Sequence, residues 1–149
     1  MKSASVLIVG IALVTLSACS GGSDTPTSPS QNVNVPFSSV DLRVGTGAEA
    51  TAGRTVSVNY TGWLYNAAGT DNKGTLFDTS LQAGRSPLSF TVGASNIIPG
   101  FSQCVLGMKV GGARRCTIPP NLAYGSAGSP PTIPGNATLI FELELLAVQ

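Results

Sequence analysis

The chain has 149 residues, with 18 glycines, 10 prolines, no histidine, 10% charged residues and a formal net charge of +1. One domain is expected, built from many short strands and turns rather than a helical bundle. The near-neutral balance gives no electrostatic footprint for nucleic acid, and the missing histidine excludes His-based triads, His general bases and His metal ligands.

The first segment, MKSASVLIVGIALVTLSAC, places Lys2 before an apolar run from Val6 to Leu16 and then small residues. That run is short of the ~20 residues needed to span a bilayer, so residues 1–18 read as a secretory signal peptide. Leu16-Ser17-Ala18-Cys19 resembles the bacterial lipobox, which implies lipidation of Cys19 as the mature N-terminus. Several acyl chains would anchor the protein stably, where one would not. Ser20 follows Cys19 in place of aspartate. In a Gram-negative host this pattern implies a cell-envelope lipoprotein of the outer membrane, facing the periplasm. The rest of residues 19–36 is rich in Ser, Thr, Pro and Gly and reads as a disordered linker. Such a linker has a mean span of about 20–25 Å, and it carries no helical period for dimerisation.

Residues 37–149 form the expected domain. Val40 to Val44 is a candidate first strand, ended by Gly45 and Gly47. In RTVSVNYTGWLY, Val56, Val58 and Tyr60 alternate with polar residues, the period of a half-buried strand. NAAGTDNKG is a polar loop and TLFDTS a short extended piece. PLSFTV alternates Leu88, Phe90 and Val92. IIPGFSQCVLG is the helix candidate: Pro99 suits a first turn, Phe101 and Val105 share a face, and Gly107 is a stop. ARRCTIPP and ATLIFELELLAV complete the strands, and Arg114-Arg115 reads as a solvated strand face. The fold class is α+β, an antiparallel sheet of about five strands with one short helix.

Catalytic chemistry is sparse. The acidic residues Asp41, Glu49, Asp71, Glu142 and Glu144 fall in loops or on outward strand positions, and the glycines around Lys109 lack phosphate-loop spacing. Tyr60, Phe77, Phe90, Phe101 and Phe141 read first as core, although the Tyr60 and Tyr124 hydroxyls need a partner or water if buried. Asp78 follows Phe77 directly, so in a regular strand the two face opposite ways.

The blocks VNYTGWL, FDTS, FTVGASNIIPGFSQCVLGMKVGGARRCTIPPNLAYGSAG and IPGNATLIFELELL resemble the FKBP-type peptidyl-prolyl cis–trans isomerases, over nearly all of Val40 to Val148. The resemblance implies a bent antiparallel sheet wrapped around the helix, with an aromatic pocket for a prolyl side chain between them. It makes Tyr60, Asp78, Tyr124 and Phe141 the expected catalytic residues. Phe77, Leu88, Phe90, Ile97, Ile98, Phe101 and Ile133 are the expected substrate-binding residues. Phe101 stands where the family commonly has tryptophan, and Leu88 where an aromatic wall is frequent. The expected partners are proline-containing polypeptides, with rapamycin-like macrolides as further candidates. The protein is expected to act as a monomer, with no nucleic acid, metal or cofactor. A proline-segment binding module or chaperone on the same fold is the alternative. The resemblance also places Cys104 near the helix end and Cys116 on the strand beneath it, which leaves open either a disulfide or two buried thiols.

Overall fold

The computed structural model describes residues 35–149. The segment expected to be a signal peptide, Cys19 and the expected linker as far as residue 34 lie outside the described residues. Among the described residues no helix is long and apolar enough to cross a membrane.

Six strands and one helix follow the order β1 (Ser38–Arg43), β2 (Thr55–Tyr65), β3 (Lys73–Thr79), β4 (Leu88–Thr91), α1 (Pro99–Val105), β5 (Ala113–Ile118) and β6 (Leu139–Val148). The sheet runs β1-β5-β6-β2-β3, and β4 also pairs with β2. Every pairing is antiparallel. The long strand β2 holds two partners on one edge: β4 along Thr55 to Val58, then β3 along Thr61 to Tyr65. The bend follows from that division together with register shifts in β2–β6 and β2–β3.

The period-two pattern decides which face is buried. Val56 and Val58 on β2, and Leu139, Phe141, Leu143 and Leu145 on β6, are buried on the face that meets α1. Phe101, Cys104 and Val105 complete this core from the helix. Each fully buried Leu, Ile, Val or Phe contributes about 1.5–3 kcal/mol. Pro99 occupies the first turn of α1, where its missing N–H costs nothing. Gly100 allows the close approach of helix to sheet, since a Cβ there would lie 2.2 Å from the Ile118 side chain.

The two basic residues of β5 are not simply solvated, as their sequence suggests. The Arg114 guanidinium donates to Asp41 and to the Cys104 and Leu106 carbonyls, closing the C-terminal end of α1. Arg115 donates to Glu142 and Asp71. The β2–β3 loop folds back over the outer sheet face and delivers Asp71 to that position. Lys73 joins Glu142 at 2.7 Å and lies 4.4 Å over the Trp63 ring.

Cys104 and Cys116 form a disulfide that ties α1 to β5, with Cα atoms 6.0 Å apart. Both are fully buried. The Cys104→Ala, Cys116→Ala double variant is expected to lose about 2–3 kcal/mol of unfolding free energy. Urea midpoints of the oxidised wild type and the variant would show it, and equal midpoints would remove the bridge from the stability of the fold.

Candidate active site

The side chains between α1 and the concave sheet enclose a cavity of about 190 Å3. Its back and floor are rings. Phe101 lies under the cavity, 5.1 Å from Phe141 and 5.9 Å from Tyr60 between ring centres, both edge-to-face. Phe77 meets Phe141 at 5.5 Å, again edge-to-face. These arrangements set the positive edge of one ring against the negative face of the next. Helix α1 supplies Phe101, β2 supplies Tyr60, β3 supplies Phe77, and β6 supplies Phe141. Gly62 makes this meeting possible. A Cβ there would lie 2.6 Å from Phe77 Cζ and 2.7 Å from Phe141 Cε1.

A β-bulge brings Phe77 and Asp78 to the same cavity, against the expectation of opposite faces. Gly62 pairs with Asp78, but the next residue, Trp63, pairs with Leu76. Phe77 is therefore the extra residue, and an extra residue re-aims its neighbours. The Asp78 carboxylate is held from several sides. The Tyr60 hydroxyl donates to Oδ2 at 2.6 Å, Arg85 Nη1 donates to Oδ1 at 2.7 Å, and the Thr79 N–H donates to Oδ1 at 2.9 Å. Ser80 and Thr79 side chains bond the Tyr60 backbone and fix β3 against β2.

Burial, then the hydrogen bond and charge of Asp78, push the Tyr60 phenol up to about 12, although nearby Arg85 opposes this. Burial and the Asp78 charge also raise the Tyr124 phenol. The Tyr60 proton is held more tightly in the folded state than in the unfolded chain. Its contribution to stability is thus fully present below pH 10.0, the ordinary value, and is lost as pH rises toward about 12. An alkaline unfolding series should show this loss in the wild type and its absence in Tyr60→Phe. Identical alkaline limbs would remove the Tyr60–Asp78 bond as the cause.

The rim is apolar and donor-bearing. Leu88, Ile97 and Ile98 line the mouth together with Tyr124. The Ile98 backbone N–H and the Tyr124 hydroxyl make no hydrogen bond to another described residue. Tyr124 is 40% exposed and stands just after the 3-10 turn at Pro120–Leu122. The loop beyond it closes on itself through Gly128 N–H to Tyr124 O and Asn136 N–H to Gly125 O.

Two of the expected binding residues lie elsewhere. Phe90 is buried behind the floor, 5.5 Å from Phe101, and does not line the cavity. Ile133 is packed into the core and does not line it either. Asn96 lines the mouth and Arg85 grips Asp78, and sequence reasoning singled out neither. Both sit in loops without periodicity; an arginine seven residues after Asp78 in a turn was the sole available signal. A separate depression at Asp41, Arg43, Lys109 and Arg114 has no aromatic lining. Arg43 there is already paired with Glu144 and Arg114 with Asp41. Among the described residues no group of three Cys, Asp or Glu side chains is placed to hold a metal ion.

Comparison with known proteins agrees with this geometry. Residues 47–146 match the family model of the FKBP-type peptidyl-prolyl cis-trans isomerases. An FK506-binding protein of Neisseria meningitidis serogroup A is 47% identical over 108 residues, covering 72% of this chain and 92% of that protein. The crystal structure of a peptidyl-prolyl cis-trans isomerase from Pseudomonas syringae superposes with a TM-score of 0.62 at 33% identity, over 76% of this chain and 75% of that one. FkpA from Escherichia coli gives a TM-score of 0.63 at 40% identity, over 76% of this chain and 48% of that one. The described residues carry a bent six-stranded sheet, one α-helix and an aromatic cavity, and the chain belongs to the FKBP family and is a peptidyl-prolyl cis–trans isomerase.

Proposed function

We propose that this isomerase acts on Xaa-Pro bonds of proteins folding in a bacterial cell envelope, held near a membrane by lipid on Cys19. The signal-like segment, the lipobox-like Leu16 to Cys19 and the Ser/Pro-rich linker support the location. Uncatalysed prolyl exchange takes tens to hundreds of seconds, slow enough to limit folding, so unfolded secreted chains are fitting substrates.

The single observation that carries the mechanism is the aromatic enclosure of Tyr60, Phe77, Phe101 and Phe141. The barrier to exchange is lost amide resonance, about 18–20 kcal/mol. The planar amide is more polar than the twisted one, so an enclosure poor in water favours the twisted form. The prolyl ring sits over Phe101 against Phe141. The Ile98 N–H holds a carbonyl of the substrate, and the Tyr124 hydroxyl bonds a second carbonyl beside the prolyl bond. Asp78, fixed by Tyr60 and Arg85, presents a fixed negative field at the rim. Such groups accelerate only insofar as they bind the twisted amide better than the planar one. No proton is transferred, and no metal or cofactor is called on.

The full-length protein should accelerate cis–trans exchange of a short Xaa-Pro peptide at a rate nearly flat from about pH 6 to pH 8, since histidine, the residue that ordinarily titrates there, is absent. A steep step near neutrality would overturn the proton-free mechanism. Intact mass of the mature protein should show acyl groups on Cys19, and Cys19→Ser should release it from the membrane fraction. An unmodified mature chain would end the tethering proposal while leaving the isomerase untouched.

A further inference from the structure

Beside the prolyl cavity, on the other side of Ile97, lies a second, open groove of about 480 Å3. Ile97 lines both, so the two are neighbours across this residue. Ala94, Ile97 and Pro99 give the groove an apolar wall, Ser102 forms its base, and Ser95 and Gln103 stand on its rim. None of its lining residues is charged. Ser102 is already committed, because its hydroxyl accepts the Gly93 N–H at 3.1 Å. The base is thus fixed and offers no strong polar demand to an occupant.

A second observation concerns the backbone between the two cavities. The N–H and C=O groups of Ser95 and Asn96, in an exposed turn, make no hydrogen bond to another described residue. Pairing is the rule for backbone polar groups that lose water. A short unpaired stretch that runs past a substrate cavity can receive an extended peptide through main-chain bonds, with alternate side chains seated in pockets.

We propose that this groove is a second subsite of the isomerase, taking a small or apolar uncharged residue of the polypeptide substrate two or three positions from the proline. The proposal rests on the reading of the prolyl cavity given above. An extended chain advances about 3.3–3.6 Å per residue, so a neighbour two or three positions away clears the width of the Ile97 side chain. The occupant is the same polypeptide that fills the prolyl cavity, since the two depressions share a wall. Its chemistry follows from the lining, which offers apolar contact and no ion pair. An acidic or basic residue would lose water there without compensation.

The test compares a tetrapeptide containing one Xaa-Pro bond with the same peptide extended at both ends by three alanine or valine residues, and by three glutamates. With the full-length protein, kcat/KM for the alanine or valine peptides is expected to exceed that of the tetrapeptide about 5- to 10-fold, with no gain for glutamate. Gln103→Trp fills the groove and Ser95→Glu charges its rim; both residues are exposed. Each variant should keep the tetrapeptide rate, which also reports an intact fold, and lose the gain. No gain in the wild type, an equal gain with glutamate, or a gain retained in both variants would overturn the subsite and leave the prolyl cavity standing. Absence of activity on every peptide would sink the cavity reading and the groove with it.

Discussion

Phe101→Ala is expected to lower unfolding free energy by about 3–5 kcal/mol and kcat/KM by about 100-fold. The ring is 3% exposed and touches Tyr60, Phe90 and Phe141 at 5.9, 5.5 and 5.1 Å between centres. Its removal opens a void beneath the prolyl cavity that these neighbours cannot fill without leaving their edge-to-face contacts. The loss is large against a typical total stability of about 5–15 kcal/mol. Equilibrium urea unfolding and an exchange assay on one preparation separate the two effects. Phe101→Leu keeps more of the volume and should recover much of the stability but little of the rate, because the ring face under the proline is gone. A fully active Phe101→Leu would show that any apolar floor suffices.

Gly62→Ala is expected to reverse that balance, with a modest cost in stability and a severe one in rate. One methyl group at this position meets both Phe77 and Phe141 at under 3 Å. Overpacking of this kind costs about 1–3 kcal/mol. Relief requires the Phe77 or Phe141 ring to move into the space a substrate would use. A fall in kcat/KM of about 10- to 100-fold is therefore expected, chiefly through weaker binding of short peptides. The thermal transition and KM of the same sample would check it. An unchanged KM would mean that the rings yield away from the cavity.

The strands were legible where one face is buried and the other wet. The alternation of Val56, Val58 and Tyr60, and of Leu139 to Leu145, gave β2 and β6 directly, and Pro99 with Phe101 and Val105 located α1. The expected sheet of about five strands has six. β1 begins at Ser38 rather than Val40, and all six of its residues are exposed, so burial leaves little pattern there to read. The cavity residues were reached through family resemblance, because periodicity alone makes Tyr60, Phe101 and Phe141 ordinary core. What stayed hidden has a common physical origin. The bulge at Phe77 breaks the period-two rule locally, and nothing in the letters FDTS announces a change of register. Phe90 shares a strand face with Leu88, yet the cavity reaches only Leu88, a matter of depth that alternation does not encode. The Arg85–Asp78 and Arg115–Asp71 pairs each draw one member, Arg85 or Asp71, from a loop whose path is set by tertiary contacts.

The edge strand β1 also bears on where this protein can be cut. The recognisable family segment starts at residue 47, but Ser38 to Arg43 pair with Ala113 to Thr117. A truncated form beginning at residue 47 would strip β5 of its outer partner and leave a bare row of N–H and C=O groups, the kind of edge on which chains aggregate. It would also remove Asp41, one of the anchors of the arginine that closes the helix end. The folding unit thus includes β1 and begins upstream of the segment that sequence comparison marks out.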